Sequence, residues 1–362
     1  SHNIHFLNEL STIIWELYVT ESLSIKEISK EISSAFNVSF DVAHQDVEST
    51  IKYWISIFSD TPYAEKKEPD KIMPVLDSTI SYQHHIYIQL PSLLIKVNSN
   101  DTPSLQQIEI IFNHLIIKDI TPLVDYEIYI IKSEEEFLIC LNDRVLEIAQ
   151  SSSHIPVMLH RAVTELACNH NEWIAILHAG GICYEDQAIL FPSVGGSGKS
   201  TLTSALVKSG FAYLNDDVLP LLKNRLITPI PVNMCIKSGS WAVLQKWYPE
   251  INDLEVYGRN NLQVKYLKPP SYDFKASAIH SRFLITPKYK PQHENVALQK
   301  ISTVEALSAI IEADSLIKKP LSKNNIKALV SWIEGIECYS LEYSNLDLAI
   351  EAIKNLVEAS EV

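Results

Sequence analysis

The sequence predicts an α/β domain in which a glycine-rich loop joins a buried strand to a helix, preceded by a β-rich segment and a small helical module. Three observations carry this prediction. Three of the nine glycines fall within residues 195–198, between an apolar run and a helical pattern. Short apolar runs alternate with polar turns over residues 85–172, and residues 1–62 contain three amphipathic stretches of helical period. At 362 residues, two domains are expected.

Residues 1–62 are predicted to form three helices. Asn8 caps the first, a capping box of Ser24 and Glu27 opens the second, and the third runs from Asp41 to Phe58. The apolar residues predicted to face inward are Ile13, Ile14 and Leu17 in the first helix, Ile25, Ile28, Ile32 and Phe36 in the second, and Val47, Ile51, Trp54, Ile55 and Phe58 in the third. Three helices of this size resemble a winged-helix unit.

The charge distribution argues against nucleic acid as a partner. The third helix carries Asp41, Asp46 and Glu48 against one Lys52, whereas phosphate backbones attract the opposite charge. The net charge of −14 and the pI near 5.3 also disfavour an anionic membrane. The five cysteines have no metal-type spacing, and the sequence shows no signal peptide or membrane-spanning run. A reduced, cytoplasmic protein is therefore expected.

A charged segment broken by proline, Ala64–Lys71, is typical of a linker. Beyond it, runs such as Ile86–Ile88 and Ile128–Ile131 predict a β-rich lead-in, which ends in a helix from about Ile155 to Cys168. The expected division is residues 1–62, a linker at 63–84, and a domain at 85–362 that comprises the lead-in, 85–172, and a core, 173–362.

Two strands and a hairpin are predicted ahead of the glycine-rich loop. Trp173–Leu177 is a buried strand that runs into His178, and Gly181–Tyr184 turns back into the loop strand, Ala188–Phe191. His178 therefore lies two strands before the loop. A histidine in this position is either a hydrogen-bonded core residue or a group that acts at the loop.

The run from residue 193 to 201 has the pattern of a phosphate-binding loop. Glycines let successive N–H groups point at one anion. Lys199 adds a positive charge for the outer phosphates, and the Ser200 hydroxyl suits Mg²⁺. Ser193 replaces the first glycine of the usual pattern, so an ordinary glycine-rich turn is the alternative. The residues predicted to contact a nucleotide are Ser193, Gly195, Gly196, Ser197, Gly198, Lys199, Ser200 and Thr201.

An acidic pair follows one helix later. Gly210 closes the helix, and the strand Ala212–Leu214 leads to Asn215, Asp216 and Asp217. Because strand ends in such a unit meet at the same edge of the sheet, both carboxylates are expected to face the phosphates. One can hold Mg²⁺ and the other can accept a proton from an attacking hydroxyl. The alternative is that Asn-Asp-Asp only makes a turn.

The order of these motifs resembles the HPr serine kinases and their HPr-kinase-like relatives. The resemblance covers roughly residues 85–362 and implies an α/β P-loop kinase core like the C-terminal domain of HPr kinase. The segments that carry it are Leu177–Ala179, Ser193–Thr201, Leu214–Val218, Lys237–Trp241, Arg282–Tyr289, Cys338–Leu341 and Leu346–Ile350. The Glu-x-Arg-Gly signature of true HPr kinases has no counterpart here, so HPr itself is a doubtful substrate.

This resemblance implies transfer of the γ-phosphoryl group of ATP to a serine hydroxyl, with ATP and Mg²⁺ as the cofactors. It places Lys199 and the loop glycines on the phosphates, and Ser200 and Asp217 on the metal. Asp216 and Asp217 then lie at the hydroxyl, with the base not assigned between them, and His178 falls beside the reacting phosphate. HPr kinases assemble into rings, which leaves a homo-oligomer open.

The N-terminal helices resemble the PqqD family, whose members recognise ribosomally made, modified peptides. The resemblance is carried by Leu7–Glu9 and Ile14–Leu17, followed by two helices of matching length. It implies that a leader peptide adds as a strand and packs on the third helix. Only about seven residues precede Asn8, so the sheet of that family is short here or completed from elsewhere. A simple helical cap on the kinase is the alternative.

Together the two resemblances predict an ATP-dependent serine kinase that phosphorylates a precursor peptide captured by its leader. Two alternatives stay open: a small-molecule hydroxyl kinase regulated by the N-terminal module, and a partner protein that senses ATP without catalysis. A further cation is usual in phosphoryl transfer. The candidates are Lys237, Arg259, Lys265 and Arg282, each with a solvated surface charge as its alternative.

Overall fold

The structure is a computed structural model. The residues it describes are 13–36, 38–58, 82, 84–118, 123–133, 136–142, 144–259, 262–272, 277–292, 295–318 and 322–359. Residues 13–58 belong to one compact unit, and all other described residues belong to a second. Asn8 and nearly all of the predicted linker lie outside the described residues; His84, the last linker residue, begins the first strand.

The first unit is a helical module around a small apolar core. A π-helical turn, Glu16–Thr20, precedes helices α1 (Ile25–Phe36) and α2 (Phe40–Phe58). The predicted capping box is confirmed, because Ser24 N donates to Glu27 Oε2 at 2.9 Å and Glu27 N donates to Ser24 Oγ at 3.3 Å. The buried core residues are Ile14, Ile28, Ile32, Ala43, Val47 and Ile51.

Phe36 departs from the predicted inward stripe, since 46% of it is exposed. It is the last residue of α1 and lies beyond the turn in which Ile28 and Ile32 pack. The side chains of Trp54, Ile55 and Phe58 lie outside the description. Within residues 13–58 the structure contains helices and no strand, so the sheet of a PqqD-like or winged-helix unit is not part of this description.

The second unit begins with a six-stranded sheet in the order β3-β1-β2-β4-β5-β6, antiparallel except for the parallel pair β2 and β4. The strands are β1 (His84–Gln89), β2 (Leu94–Ser99), β3 (Ile116–Ile117), β4 (Tyr126–Lys132), β5 (Phe137–Leu141) and β6 (Arg144–Ala149). Two helices pack in the same apolar cluster, α3 (Thr102–Phe112) and α4 (Ile155–His170). The β-rich lead-in and its final helix are confirmed. Helix α3 was not predicted from the sequence.

The core of this unit follows. Its elements are, in chain order, β7 (Trp173–Leu177), β8 (Ala179–Tyr184), β9 (Gln187–Pro192), α5 (Lys199–Lys208), β10 (Ala212–Asn215), β11 (Leu219–Leu222), β12 (Leu226–Ile227), β13 (Met234–Lys237), α6 (Trp241–Leu244), β14 (Tyr257–Arg259), β15 (Leu262–Leu267), β16 (Ile279–Tyr289), β17 (Ala297–Lys300), α7 (Thr303–Glu312), β18 (Leu316–Ile317), α8 (Lys323–Glu334), β19 (Glu337–Tyr343) and α9 (Leu346–Ala359).

Five strands of a ten-stranded sheet are neighbours in the order β10-β8-β9-β16-β19, and their ends line one side of the sheet. Strands β9, β16 and β19 are parallel, whereas β8 is antiparallel to both β9 and β10. The carboxyl ends of four strands and the start of β8 therefore meet at the same edge. The predicted convergence of the loop strand and the acidic strand is confirmed, with β8 inserted between them.

The lead-in shares its apolar core with the rest of the unit. The cluster that contains α3 and α4 also includes Ile230, Val232 and Val264 from the core segment. Four of the five cysteines are buried and all five are free thiols, as expected of small core residues; Cys235 is only partly buried. In the described part of the chain, no helix combines the length and the apolarity needed to cross a membrane.

Candidate functional site

The glycine-rich loop leaves the end of β9 and closes into the first turn of α5. Gly196 and Gly198 have φ of +83° and +90°, values that favour glycine. Ser193, at the position of the missing glycine, does not have a positive φ, and its hydroxyl accepts a hydrogen bond from Ser197 Oγ at 2.6 Å. The serine therefore ties the loop together and does not distort it.

The start of α5 is open to an anion. Gly198 is the N-cap residue and supplies no capping side chain. The first N–H groups of a helix lack intrahelical acceptors and carry the positive end of its dipole. Lys199 lies at the same place, and its Nζ is buried without a hydrogen-bond acceptor among the described residues. Burial lowers the pKa of Lys199 to about 8, although Asp217 and Asp216 oppose that shift.

Asn215 shapes the acidic pair. Its Oδ1 accepts hydrogen bonds from the backbone N–H groups of Asp217 at 2.8 Å and Val218 at 2.9 Å, and its amide donates to Ile230 O at 2.7 Å. The Asn-Asp-Asp run thus does make a turn. The turn also fixes the backbone that carries both carboxylates, so it is compatible with the functional interpretation of the acidic pair.

The two acids have different environments. Asp216 is buried and accepts a hydrogen bond from Tyr213 Oη at 2.7 Å. Burial, the larger cause, raises the pKa of Asp216 to about 6. The side chain of Asp217 is 69% exposed, and its Oδ1 lies 3.2 Å from His178 Nε2. The hydrogen bond from His178 lowers the pKa of Asp217 below its usual value.

His178 is held from its other side. It follows β7, whose last residue, Leu177, pairs with Leu219 just beyond the acidic pair. Its Nδ1 donates to the carbonyl oxygen of Ala313 at 2.6 Å, because a carbonyl can only accept, and its backbone N–H donates to Ser315 Oγ at 2.9 Å. These contacts aim Nε2 at Asp217. His178 is therefore both hydrogen-bonded and part of the site.

The segment after β13 completes the wall beside α5. Ser240, at the end of a short 3-10 turn, places its Oγ 2.9 Å from Thr201 Oγ1. Lys237, the last residue of β13, is close enough to contribute to the lowered pKa values of both Lys199 and Asp217. Lys237 is one of the candidate cations predicted from the sequence, whereas the contact of Ser240 with Thr201 is not indicated by any pattern in the sequence.

Two of the four candidate cations are elsewhere. Lys265 is buried and donates to Ile251 O at 2.5 Å and to Asn252 O at 3.3 Å, so it is a structural group. Arg282 donates to Gln187 Oε1 at 2.8 Å. Gln187 begins β9, whereas the loop follows the end of that strand, so Arg282 lies at the opposite edge beside a cavity of about 330 Å³.

Lys237 is the candidate that the structure brings to the loop, and the side chain of Arg259 lies outside the description. For a metal ion, the described residues contain no cluster of three or more His, Cys, Asp or Glu side chains. Ser200 and Asp217 supply one hydroxyl and one carboxylate oxygen, a donor set that fits Mg²⁺ only when phosphate oxygens and water complete it.

Comparison with known proteins adds no assignment. No protein-family model matches this chain, and no curated protein matches it. The geometry at the edge of the sheet is therefore the feature that bears on function.

Proposed function

We propose that this protein is an ATP-dependent kinase that transfers the γ-phosphoryl group to a serine hydroxyl of a ribosomally made precursor peptide. One observation carries the nucleotide part: the buried Lys199 ammonium, without a protein acceptor among the described residues, lies at an uncapped helix start beside two carboxylates. A triphosphate supplies the missing acceptor, and the neighbouring acids suit an incoming alcohol.

Each residue of the candidate site has a proposed role that follows from its position. Loop N–H groups and Lys199 hold the phosphates and neutralise charge on them. Ser200 and Asp217 would hold Mg²⁺, which supplies further charge neutralisation when bound. Asp217 is the exposed member of the acidic pair, so it meets groups that enter from outside, while His178 fixes its orientation.

The transfer needs no reactant other than ATP and the alcohol. The alcohol oxygen forms a bond to the γ-phosphorus, and the bond between that phosphorus and the β–γ bridging oxygen breaks. ADP leaves, and the alcohol proton passes to the acidic pair. The pair combines a buried acid of raised pKa, Asp216 at about 6, with an exposed acid, Asp217, and the base is not assigned between them.

The peptide part of the proposal is supported by the resemblance of the N-terminal helices to the PqqD family. A leader held by this module raises the local concentration of the peptide core at the kinase site. Helix α2 exposes Asp41 and Asp46, whereas Glu48 is half-buried and pairs with Lys52 at 2.9 Å; the two exposed acids favour a leader with basic residues.

The test is incubation with Mg-ATP and the precursor peptide encoded beside its gene, followed by mass spectrometry. The peptide should gain the mass of one phosphoryl group, and Lys199→Ala should abolish that gain. Phosphorylation of a metabolite with no change in the peptide would support the small-molecule kinase. ATP binding with no transfer to any alcohol would support the sensor.

The role of the helical module has its own test in the full chain. Ile51 is buried in the core of that module, so Ile51→Asp should disrupt it. Leader binding should then weaken at least tenfold, while ATP affinity stays within twofold. Unchanged leader affinity would contradict the recognition role and leave the kinase proposal standing.

A further inference from the structure

The phosphate-binding loop has chemically different neighbours on its two sides. On one side, β8 and β10 bring His178 and the acidic pair to the edge. On the other side, the parallel strands β16 and β19 end in Tyr289 and Tyr343. A linear triphosphate that points its outer phosphate at the acids therefore extends its opposite end toward the tyrosines.

Tyr289 is tied to the loop through its backbone. Its N–H donates to Ser197 O at 3.3 Å. Its Cβ lies 3.5 Å from the position that a Cβ on Gly198 would occupy. The residue is 49% exposed, so an aromatic ring is presented to solvent directly beside the start of α5.

The ring of Tyr289 is supported from one side. It meets the ring of Tyr343 edge to face, with centroids 5.8 Å apart and planes inclined by 66°. Tyr343 is buried, and its Oη lies 3.5 Å from Gly198 O. Lys290 N donates to Tyr343 O at 2.8 Å, which fixes the chain just after Tyr289. The exposed ring is thus held in position before any ligand arrives.

We propose that Tyr289 is the stacking platform for the base of the bound nucleotide, and that it gives this site a preference for purine nucleoside triphosphates. The inference rests on the proposed function, because it needs a triphosphate in the loop. Stacking of a base on an aromatic side chain corresponds to about 5- to 100-fold in affinity. The larger purine ring covers more of the tyrosine than a pyrimidine does.

The neighbouring charges suit a nucleotide. Lys288 and Lys290 flank Tyr289 and are both exposed, and Lys290 donates to Glu342 at 2.6 Å. That pair neutralises Lys290 and leaves Lys288 as one positive charge beside the ring, a charge that tripolyphosphate and ATP both meet, so the ring contact is the feature that distinguishes them. An affinity measurement can therefore separate the two contributions.

The experiment is calorimetry of ATP, CTP and inorganic tripolyphosphate, each with Mg²⁺, on the full chain. Wild type should bind ATP more tightly than CTP or tripolyphosphate. Tyr289→Leu keeps apolar bulk against Tyr343 but lacks a π face, and it should weaken ATP binding about 5- to 100-fold with tripolyphosphate affinity within twofold. Tyr289→Phe should retain wild-type ATP affinity.

Tyr87→Leu, on the lead-in sheet, is the matched control and should leave all three affinities unchanged. Equal ATP affinity in wild type and Tyr289→Leu would overturn the platform and leave the proposed function intact. Equal affinity of wild type for ATP and tripolyphosphate would do the same, whatever the stability of the variants. A wild-type protein that binds none of the three would overturn both proposals.

Discussion

Lys199 at the glycine-rich loop and Lys265 in β15 are equally buried, at 7% exposure each, yet their surroundings are opposite. The Lys265 ammonium donates to two backbone carbonyls and lies 4.8 Å from the centre of the Trp241 ring. The Lys199 ammonium has no acceptor among the described residues. Burial alone therefore does not distinguish the two lysines; the unmet donor of Lys199 does.

The physical reason lies in the cost of burying charge. A desolvated ammonium is unfavourable unless hydrogen bonds compensate for the lost water. The fold provides that compensation for Lys265 from a 3-10 turn, Pro249–Asn252. For Lys199 it provides only partial relief, from the charges of Asp216 and Asp217. Lys265 therefore stabilises the fold, whereas burial of Lys199 costs stability that, under the proposed function, a bound phosphate would restore.

The largest expected effect is on Lys199→Met. Under the proposed function, phosphoryl transfer should fall by at least about 10³-fold, since the variant loses the buried cation of the described loop. The free energy of unfolding should stay constant or rise by about 1–3 kcal/mol, because an uncompensated buried charge is removed. Single-turnover kinetics and chemical denaturation measure the two quantities. A Lys199→Met variant that keeps its activity, or that is clearly less stable, would contradict the contrast drawn between Lys199 and Lys265.

The second prediction concerns Gly198, the N-cap residue that precedes Lys199 at the start of α5. In Gly198→Ala, the new Cβ would lie 2.7 Å from Tyr343 Oη at a φ of +90°, so the loop must move. Nucleotide affinity should fall about 10- to 100-fold, equivalent to roughly 1.4–2.8 kcal/mol. Gly210→Ala is the control: its φ is +114°, but no atom lies within 4 Å, so it should lower stability by about 1–2 kcal/mol with affinity unchanged. Equal affinity losses in both variants would mean that strain, not the Tyr343 contact, is responsible.

The third prediction is the reciprocal of the first. Lys265→Met keeps an apolar stem against Trp241 but leaves Ile251 O and Asn252 O without their charged donor. The free energy of unfolding should fall by about 2 kcal/mol, and nucleotide affinity should stay within twofold of wild type. Thermal unfolding and calorimetry give the two values. Loss of nucleotide binding at wild-type stability would place Lys265 in the site and contradict its structural role.

The smallest expected effect concerns His114, a basic group in the lead-in whose Nδ1 also has no partner among the described residues. Its Nε2 donates to Pro231 O at 2.8 Å, and burial lowers its pKa to about 4. The unfolded chain binds a proton near pH 6.5, whereas the folded protein does not until about pH 4. Stability from this group is therefore complete above pH 6.5 and is lost as the pH falls toward 4.

Between pH 6.5 and 5 the loss should be on the order of 1–2 kcal/mol, measured by denaturation at several pH values. His114→Gln should reduce that slope, although it will lower stability at pH 7 as well. An unchanged slope in the variant would assign the acid sensitivity to other groups. At neutral pH the buried His114 imidazole carries no charge, so its unpaired nitrogen costs little stability. Lys199, with a pKa of about 8, carries a positive charge at the same pH.

The sequence predicts the local features of the site well. The strand, the loop, α5, the capping box and the turn at Asn215 all depend on residues close in the chain, and each is present. The contacts of His178 with Ala313 and Ser315 join residues about 135 positions apart. Such contacts follow from strand order, which no local pattern specifies, and the same is true of Ser240 and Tyr343.

Two features of the fold do not follow from local patterns. Lys265 and Arg282 are candidate site cations because they follow the core in the chain, but Lys265 donates to Ile251 O and Asn252 O, and Arg282 lies near the start of β16, away from the loop. Helix α3 was missed although Asp101 caps it and Pro103 opens it. Its helical pattern is short and lies between two strands, so the alternating apolar runs on either side obscure it.

The strand order at the edge has a consequence for biosynthesis. His178, the loop and the acidic pair lie within 40 consecutive residues, from 178 to 217, and so leave the ribosome almost together. Tyr289 and Tyr343, which flank the loop on its other side, are translated roughly 70 and 125 residues after Asp217. A nascent chain can therefore form the loop and the acidic turn early by local folding, whereas the contacts that orient His178 wait for Ala313 and Ser315. The tyrosine side of the edge forms only when β16 and β19 add to the sheet, so the nucleotide affinity proposed for Tyr289 should appear late in translation.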